Sequence, residues 1–120
     1  MLSILIPVRN ESNSLADLFN YFDKNLDGID FEVIIINDFS DDDTLQKAKF
    51  LGQKNQKFKI LNNTKKGLGG AINFGINHST GEFLVIMMAD QSDDIAAGND
   101  DLAFFLFERT ALGVGATFKF

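Results

Sequence analysis

Three short segments of the chain are almost continuously apolar. They read LSILIPV, FEVIII and FLVIMM and cover Leu2–Val8, Phe31–Ile36 and Phe83–Met88. Runs of this length, rich in β-branched and large apolar side chains, are typical of strands covered on both faces, as in a parallel sheet. A weaker run at Phe58–Leu61 predicts a fourth strand.

Helical spacing fills the segments between these runs. Apolar residues recur at i, i+3 and i+4 across Leu15–Leu26, with serines just ahead as N-cap candidates. The same reasoning predicts a more polar helix at Leu45–Leu51 and a third at Leu68–Ile76, after which Gly81 favours a stop. This alternation predicts right-handed β-α-β crossovers and therefore an α/β fold: Rossmann-like, with three α/β/α layers and a mostly parallel sheet.

The last part of the chain is less regular. Ile95–Asn99 is loop-like, Asp100–Arg109 is predicted to be a helix, and Gly113–Phe120 is predicted to be a final strand. The phenylalanines within Phe104–Phe107 cannot share one helix face, so we expect either that part of this apolar surface needs a partner outside this chain or that the segment is irregular. The 120 residues contain no repeat or low-complexity linker, which predicts a single domain over 1–120.

Composition narrows the possible partners and compartments. The net charge of −6 argues against a nucleic-acid partner, and the lack of cysteine excludes disulfides and thiolate–metal sites. The apolar runs are shorter than the ~20 residues of a membrane helix, and Arg9 comes too early for a secretory signal. We therefore expect a cytoplasmic protein whose association with a membrane, if it has one, is peripheral.

Polar and acidic residues follow three of the predicted strands. PVRNE ends the first strand, NDFSDDDT follows the second, and ADQSDD follows the FLVIMM strand. Ligands of parallel sheets bind beyond the carboxyl ends of the strands, so these carboxylates collect at one edge. Like charges crowded together are costly unless a cation shares the site, and hard oxygen ligands suit Mg²⁺ or Mn²⁺. The pattern predicts a divalent metal.

A lysine- and glycine-rich segment, NTKKGLGG, precedes the third predicted helix. Small residues let a ligand approach the backbone, and a helix N-terminus favours an anion. A phosphate bound at this segment and a metal bound at Asp90 would together form a binding site for a nucleoside diphosphate. The glycines alone are also consistent with a simple tight turn.

Three motifs, in order, carry a family resemblance over residues 1–95. ILIPVRNES resembles a P-x-x-N-E opening, VIIINDFSDDDT resembles V-D-D-x-S-x-D-x-T, and NTKKGLGGAINFGINHSTGEFLVIMMADQSDD resembles N-x-G-x-G-x-A-x-x-x-G-x-x-x-A-x-G followed by a strand and D-x-D. On these motifs the chain resembles the N-terminal, nucleotide-sugar-binding part of family 2 glycosyltransferases. These enzymes have the GT-A fold and include the dolichol-phosphate mannose synthase-like type.

The resemblance implies a set of site residues. Those it assigns to the nucleotide are Pro7, Arg9, Glu11, Asp38, Lys66 and Gly67. Asp38 would contact the base, and Asp90 would bind the Mg²⁺ or Mn²⁺ that bridges the diphosphate of a nucleotide-diphosphate sugar. The implied reaction transfers the sugar to a hydroxyl of an acceptor, either a saccharide or a lipid-linked molecule.

Two features depart from the family pattern. Met88 stands where the family has the first acid of D-x-D, with Asp93 and Asp94 nearby as candidate replacements. Residues 96–120 resemble only loosely the start of the acceptor-binding half, where relatives usually carry the general base. The resemblance therefore implies an incomplete GT-A fold: a nucleotide-sugar-binding part at 1–95, a divergent segment at 96–120, and a catalytic residue that stays unidentified.

Two alternatives use the same fold class. The first is a catalytically inactive nucleotide-binding or interaction module, favoured by Met88 and by a short C-terminal segment, with a protein partner on the Phe104–Phe107 surface. The second is a phosphoacceptor receiver domain. That domain needs adjacent acids after the first strand and a lysine after the fifth, whereas this chain has Arg9-Asn10-Glu11 and only Lys119.

Overall fold

The computed structural model describes residues 1–89 and 102–112. Its strands are β1 (Leu2–Val8), β2 (Phe31–Asn37), β3 (Phe58–Asn62), β4 (Phe83–Ala89) and β5 (Leu102–Glu108). Its helices are α1 (Leu15–Asn25), α2 (Thr44–Gly52), α3 (Leu68–Asn77) and α4 (Arg109–Leu112). The four strands and three helices expected before residue 90 are all present.

The strands form one sheet in the order β3-β2-β1-β4-β5. β1 to β4 are parallel to their neighbours, and β5 runs antiparallel to β4. The chain builds outward from β1 through β2 to β3, then crosses back with α3 and adds β4 on the other side of β1. The order of strands reverses between β1 and β4, which is where an open parallel sheet binds its ligands.

Helices cover both faces of the sheet and create two cores. On the face of α1 and α2, Phe19 stacks on Phe58 with ring centroids 4.4 Å apart. On the other face, Ile72 of α3 packs with Leu5 and Ile34. Every residue of β2 is buried, as expected for a strand covered on both sides. The three-layer α/β/α architecture predicted from the sequence is therefore confirmed.

The predicted helix at Asp100–Arg109 is wrong. Leu102–Glu108 forms β5 and pairs with β4, so that Leu102 lies opposite Ala89 and Glu108 opposite Phe83. A strand does not require the phenylalanines of this segment to share one helix face. Phe107 packs against the core on the α3 side. The loop expected at Ile95–Asn99 and the strand expected at Gly113–Phe120 lie outside the described residues.

A buried carboxylate ties the sheet together at its amino end, opposite the ligand-binding edge. Glu32 receives hydrogen bonds from Ser3 Oγ at 2.6 Å and from the Thr80 backbone N–H at 2.8 Å, and it pairs with Lys59 Nζ at 2.7 Å. Burial alone would raise the pKa of Glu32, but the hydrogen bonds from Lys59, Ser3 and Thr80 lower it to about 2. Glu32 therefore stays ionised over the whole range of physiological pH.

Arg109 anchors the end of β5 to the same region. Its Nε donates to the Gly81 carbonyl at 2.6 Å, and its terminal nitrogen donates to Ser79 Oγ at 2.7 Å. These bonds join α4 to the turn that leads into β4. Within the described ranges, no helix has the length and apolar character needed to cross a membrane.

Candidate functional site

A cavity of about 230 Å³ opens at the carboxyl ends of β1 and β4, where the strand order reverses. Its lining residues are Pro7, Val8, Arg9, Glu11, Asp38, Leu68 and Met88. Four of the six residues that the sequence assigned to the nucleotide share this cavity. A larger hollow of about 420 Å³ lies between α1 and α2, but its walls are mainly apolar and hold none of those residues.

Asp38 is the buried carboxylate of this cavity. It follows β2 directly and is only 7% exposed. Its Oδ1 accepts hydrogen bonds from the Gly67 backbone N–H and from Asn63 Nδ2, each at 3.0 Å. Its Oδ2 accepts no hydrogen bond from the part of the chain that the structure describes. One oxygen thus fixes the side chain, and the other is available to a donor group on a ligand.

Asn63 supports Asp38, and sequence reasoning missed it. This buried residue follows β3, and its Nδ2 also donates to the Lys65 carbonyl at 2.6 Å. Asn63 therefore joins the carboxylate to the turn that leads into α3. The signal was available, because Asn63 stands two residues after the predicted strand Phe58–Leu61, close to the carboxyl end where the other site candidates lie.

The glycine-rich segment shapes the start of α3 beside Asp38. Gly67 has a φ of 120°, which side-chain-bearing residues rarely adopt, and its N–H points to Asp38. At Gly70, an added Cβ would collide with the Lys65 carbonyl oxygen. Lys66 is exposed and is not among the residues that line the cavity. The segment therefore approaches the site through its backbone and Leu68, while the Lys66 side chain stands outside.

Arg9 and Glu11 bring opposite charges to the rim of the cavity. Arg9 is exposed and has no carboxylate partner within residues 1–89 and 102–112. Glu11 is half-buried, and its backbone N–H donates to Thr44 Oγ1 at 3.0 Å. An exposed guanidinium beside a cavity can bind a phosphate or the edge of a nucleobase.

The loops after β1 and β2 are bonded to each other. The Asn10 backbone N–H donates to Ser40 Oγ at 3.0 Å, and the Asp41 N–H donates to Asn10 Oδ1 at 2.7 Å. We call these two bonds the rim latch. Asn10 and Phe39 both have left-handed backbone conformations, with φ of 54° and 56°. The rim latch holds Arg9 and Asp38 at neighbouring strand ends.

The acidic run Asp41–Asp43 is exposed and does not line the cavity. The hydrogen bond from the Thr44 hydroxyl is the main reason that the pKa of Asp42 lies below its usual value. Asp43 is the N-cap residue of α2 and pairs with Lys47 at 3.8 Å. These acids belong to the start of α2.

The predicted metal ligand Asp90 lies outside the described residues. β4 brings Met88 to the cavity wall, two positions ahead of Asp90 in the chain. Among residues 1–89 and 102–112 no group of three acidic or histidine side chains is placed to hold a metal ion. The cavity itself offers two carboxylates, Asp38 and Glu11, and oxygen donors of this kind suit Mg²⁺ or Mn²⁺.

Sequence comparison identifies relatives over most of the chain. The Glycosyl transferase family 2 model matches residues 3–97. The chain is 37% identical over 90 residues to a dolichol-phosphate mannosyltransferase from Pyrococcus furiosus, covering 74% of this chain and 25% of that protein. It is 34% identical over 93 residues to the putative glycosyltransferase CsbB from Bacillus subtilis, covering 75% of this chain and 28% of that protein. The chain therefore spans about a quarter of the length of these relatives.

Solved structures share the fold. The mannosyltransferase PcManGT from Pyrobaculum calidifontis, in complex with GDP-Man and Mn²⁺, matches with a TM-score of 0.62 at 23% identity, over 80% of this chain and 30% of that one. S. aureus TarS in complex with UDP matches with a TM-score of 0.63 at 26% sequence identity, and the match covers 72% of this chain and 26% of that one.

Glucosyl-3-phosphoglycerate synthase from Mycobacterium tuberculosis, in complex with Mn²⁺, UDP and glucosyl-3-phosphoglycerate, matches with a TM-score of 0.61 at 21% identity, over 75% of this chain and 33% of that one. The GT-A fold expected from the sequence is confirmed by these neighbours. The family match covers most of the chain and agrees with the strand order, the helix layers and the position of the cavity. The chain belongs to glycosyl transferase family 2.

Proposed function

We propose that the chain binds a nucleotide-diphosphate sugar at the carboxyl ends of β1 and β4 and forms the donor-binding part of a glycosyltransferase. The observation that carries this proposal is the buried carboxylate of Asp38. Its Oδ1 is held by Gly67 and Asn63, while its Oδ2 accepts no hydrogen bond from residues 1–89 and 102–112. A nucleobase N–H or a ribose hydroxyl is a donor of the right kind, and a carboxylate strengthens such a bond by its charge.

The diphosphate would be bound by Arg9 and by a divalent metal on Asp90. The bound metal supplies charge stabilisation to the departing nucleoside diphosphate when an acceptor hydroxyl attacks the sugar. Structural neighbours in complex with GDP-Man and Mn²⁺ and with UDP and Mn²⁺ support a divalent metal beside the nucleotide. The match to a dolichol-phosphate mannosyltransferase favours a lipid-linked acceptor, and the structural neighbour in complex with glucosyl-3-phosphoglycerate favours a saccharide one.

A second candidate function is nucleotide binding without transfer. The observation that favours it is Met88, which places a thioether on the cavity wall where the family pattern has an acid. A thioether does not bind Mg²⁺ or Mn²⁺ as an oxygen ligand does. Release of nucleoside diphosphate from the donor, measured with and without saccharide and lipid-linked acceptors, distinguishes the enzyme from the binding module.

The first experiment is a calorimetric titration of the chain with UDP- and GDP-sugars, in Mn²⁺ and in EDTA. We expect binding in Mn²⁺ and none in EDTA, because the metal offsets the charge of the diphosphate. Asp90→Ala is expected to weaken binding about 100-fold or more by removing a direct metal ligand. Asp27→Ala, at an exposed acid between α1 and β2, serves as the matched control and is expected to bind normally.

Two results would contradict the proposal in different places. Absence of binding to every nucleotide sugar in both conditions would remove the donor site. Binding that is equal in Mn²⁺ and EDTA and unchanged in Asp90→Ala would keep the donor site but remove the metal from it.

A further inference from the structure

Phe39 combines two unusual properties. Its φ of 56° lies in the left-handed region, where a bulky aromatic residue is a genuine outlier. Its side chain is 44% exposed, although it stands immediately after the buried Asp38. Strained residues of this kind persist where the surrounding structure imposes them, and they concentrate at functional sites.

Hydrogen bonds on both sides of Phe39 impose its conformation. The Asp38 N–H donates to the Val8 carbonyl at 2.8 Å, and the rim latch fixes Ser40 and Asp41 against Asn10. Glycine would adopt the same backbone without strain. The chain therefore keeps a phenylalanine at a point where the backbone alone favours glycine.

Packing does not explain the ring. Phe39 belongs to neither of the two cores of the sheet, and it forms no ring contact within the described residues. Its loop is otherwise polar, since NDFSDDDT contains no second apolar side chain. The ring is thus an exposed apolar group on the residue that follows Asp38, and it lies outside the walls of the cavity.

The cavity is small for a nucleotide sugar. Its volume of about 230 Å³ is less than the roughly 300–1,000 Å³ of typical small-molecule sites, so a bound nucleotide sugar would extend beyond these walls towards the loop that carries Phe39. A nucleobase has donors and acceptors on its edge and two apolar faces. Asp38 suits the edge, and an aromatic ring beside Asp38 suits a face.

We propose that Phe39 stacks on the nucleobase of the donor and contributes to selecting a nucleotide over other diphosphates. This inference rests on the proposed donor site. The Asp38 carboxylate and the Phe39 ring would together bind one planar group, with the carboxylate on its edge and the ring on its face. The strained backbone would hold the ring in place before the ligand arrives, so that little conformational freedom is lost on binding.

Two substitutions separate the ring from the strain. Phe39→Ala and Phe39→Gly both remove the ring, and each is expected to weaken UDP or GDP binding in Mn²⁺ by roughly 5- to 100-fold. Only alanine retains the left-handed strain, so the Tm of the glycine variant is expected to exceed that of the alanine variant by about 3–8 °C. If the two variants lose the same amount of binding but differ in Tm, general destabilisation is excluded as the cause of the weaker binding.

The matched control is Phe50→Ala. Phe50 is another exposed phenylalanine, at 59%, but it lies on α2, whereas Phe39 directly follows the cavity residue Asp38. We expect this variant to bind UDP and GDP as the unmodified chain does. Pyrophosphate with Mn²⁺ lacks a base, so its binding is expected to be the same in the unmodified chain and in both Phe39 variants.

Phe39→Trp supplies a direct readout, because the chain contains no tryptophan. Its fluorescence is expected to change on addition of UDP or GDP and to stay constant with pyrophosphate. Nucleotide binding by the unmodified chain that persists unweakened in Phe39→Ala and Phe39→Gly would overturn the stacking role and leave the donor site intact. Failure of the unmodified chain to bind any nucleotide would overturn both.

Discussion

Replacing Asp38 with alanine is expected to abolish measurable nucleotide binding and to lower the free energy of unfolding by about 2–4 kcal/mol. Both effects follow from the same side chain. Alanine removes the acceptor of Gly67 and Asn63, and Asn63 is buried, so a polar group is left without its partner. Calorimetry with UDP and GDP measures the first effect, and urea unfolding measures the second.

Asp38→Asn is the control that separates the two effects. The amide oxygen can still accept from Gly67 and Asn63, so stability is expected to stay within about 1 kcal/mol of the unmodified chain. The amide nitrogen replaces Oδ2, which turns an acceptor into a donor and removes the charge. Nucleotide binding is therefore expected to fall by about tenfold or more. Normal binding by Asp38→Asn would show that Asp38 serves only the fold.

Glu32→Gln is expected to lower the free energy of unfolding at pH 7 by about 2–3 kcal/mol. The folded-state pKa of Glu32 is about 2, below its ordinary value of 4.5, so the ionised carboxylate stabilises the fold at every pH above 4.5. This contribution is lost as the pH falls from about 4.5 towards 2. Urea unfolding of both proteins at pH 7 and pH 3 measures it, and the difference between them is expected to fall by more than half at pH 3.

Asp27→Asn provides the comparison, because it changes an exposed acid in the loop between α1 and β2. We expect it to alter stability by less than about 0.5 kcal/mol at both pH values. Nucleotide binding by Glu32→Gln is expected to be normal, since Glu32 lies at the amino end of the sheet and the cavity lies at the carboxyl end. If the difference in unfolding free energy between the unmodified chain and Glu32→Gln were the same at pH 7 and pH 3, the ionised form of Glu32 would not be what stabilises the fold.

The central part of the fold followed from local pattern. Buried parallel strands are continuous apolar runs, so their limits were found to within about one residue, and the helices between them kept their spacing. β5 was missed because LAFFLFE is compatible with either a helix or a strand. The segment is a strand because it pairs with β4. The local sequence of neither segment specifies this pairing. The strand order likewise depends on contacts between distant segments.

The sequence located only those site residues that lie at the ends of predicted strands. Pro7, Arg9, Glu11 and Asp38 share one cavity because they lie at or just beyond the carboxyl ends of the neighbouring parallel strands β1 and β2. The rim latch was not visible, since a hydrogen bond from Asn10 to Ser40 depends on how two loops meet in space. The strain at Phe39 was hidden for the same reason, because φ is imposed there by its neighbours rather than by its own preference. Lys66 looked suited to a phosphate by charge, yet its side chain lies outside the cavity.

β1 precedes the other described strands in the chain and occupies the middle of the sheet. Leu2 pairs with Phe31 on one side and with Phe83 on the other. While the polypeptide is growing, one edge of β1 therefore has no sheet partner until β4 has left the ribosome. An open edge of an apolar strand is a template for association with other chains. Nascent chains that stop before Phe83 thus expose one edge of an apolar strand, and the exposure ends when α3 crosses the sheet and β4 pairs with β1.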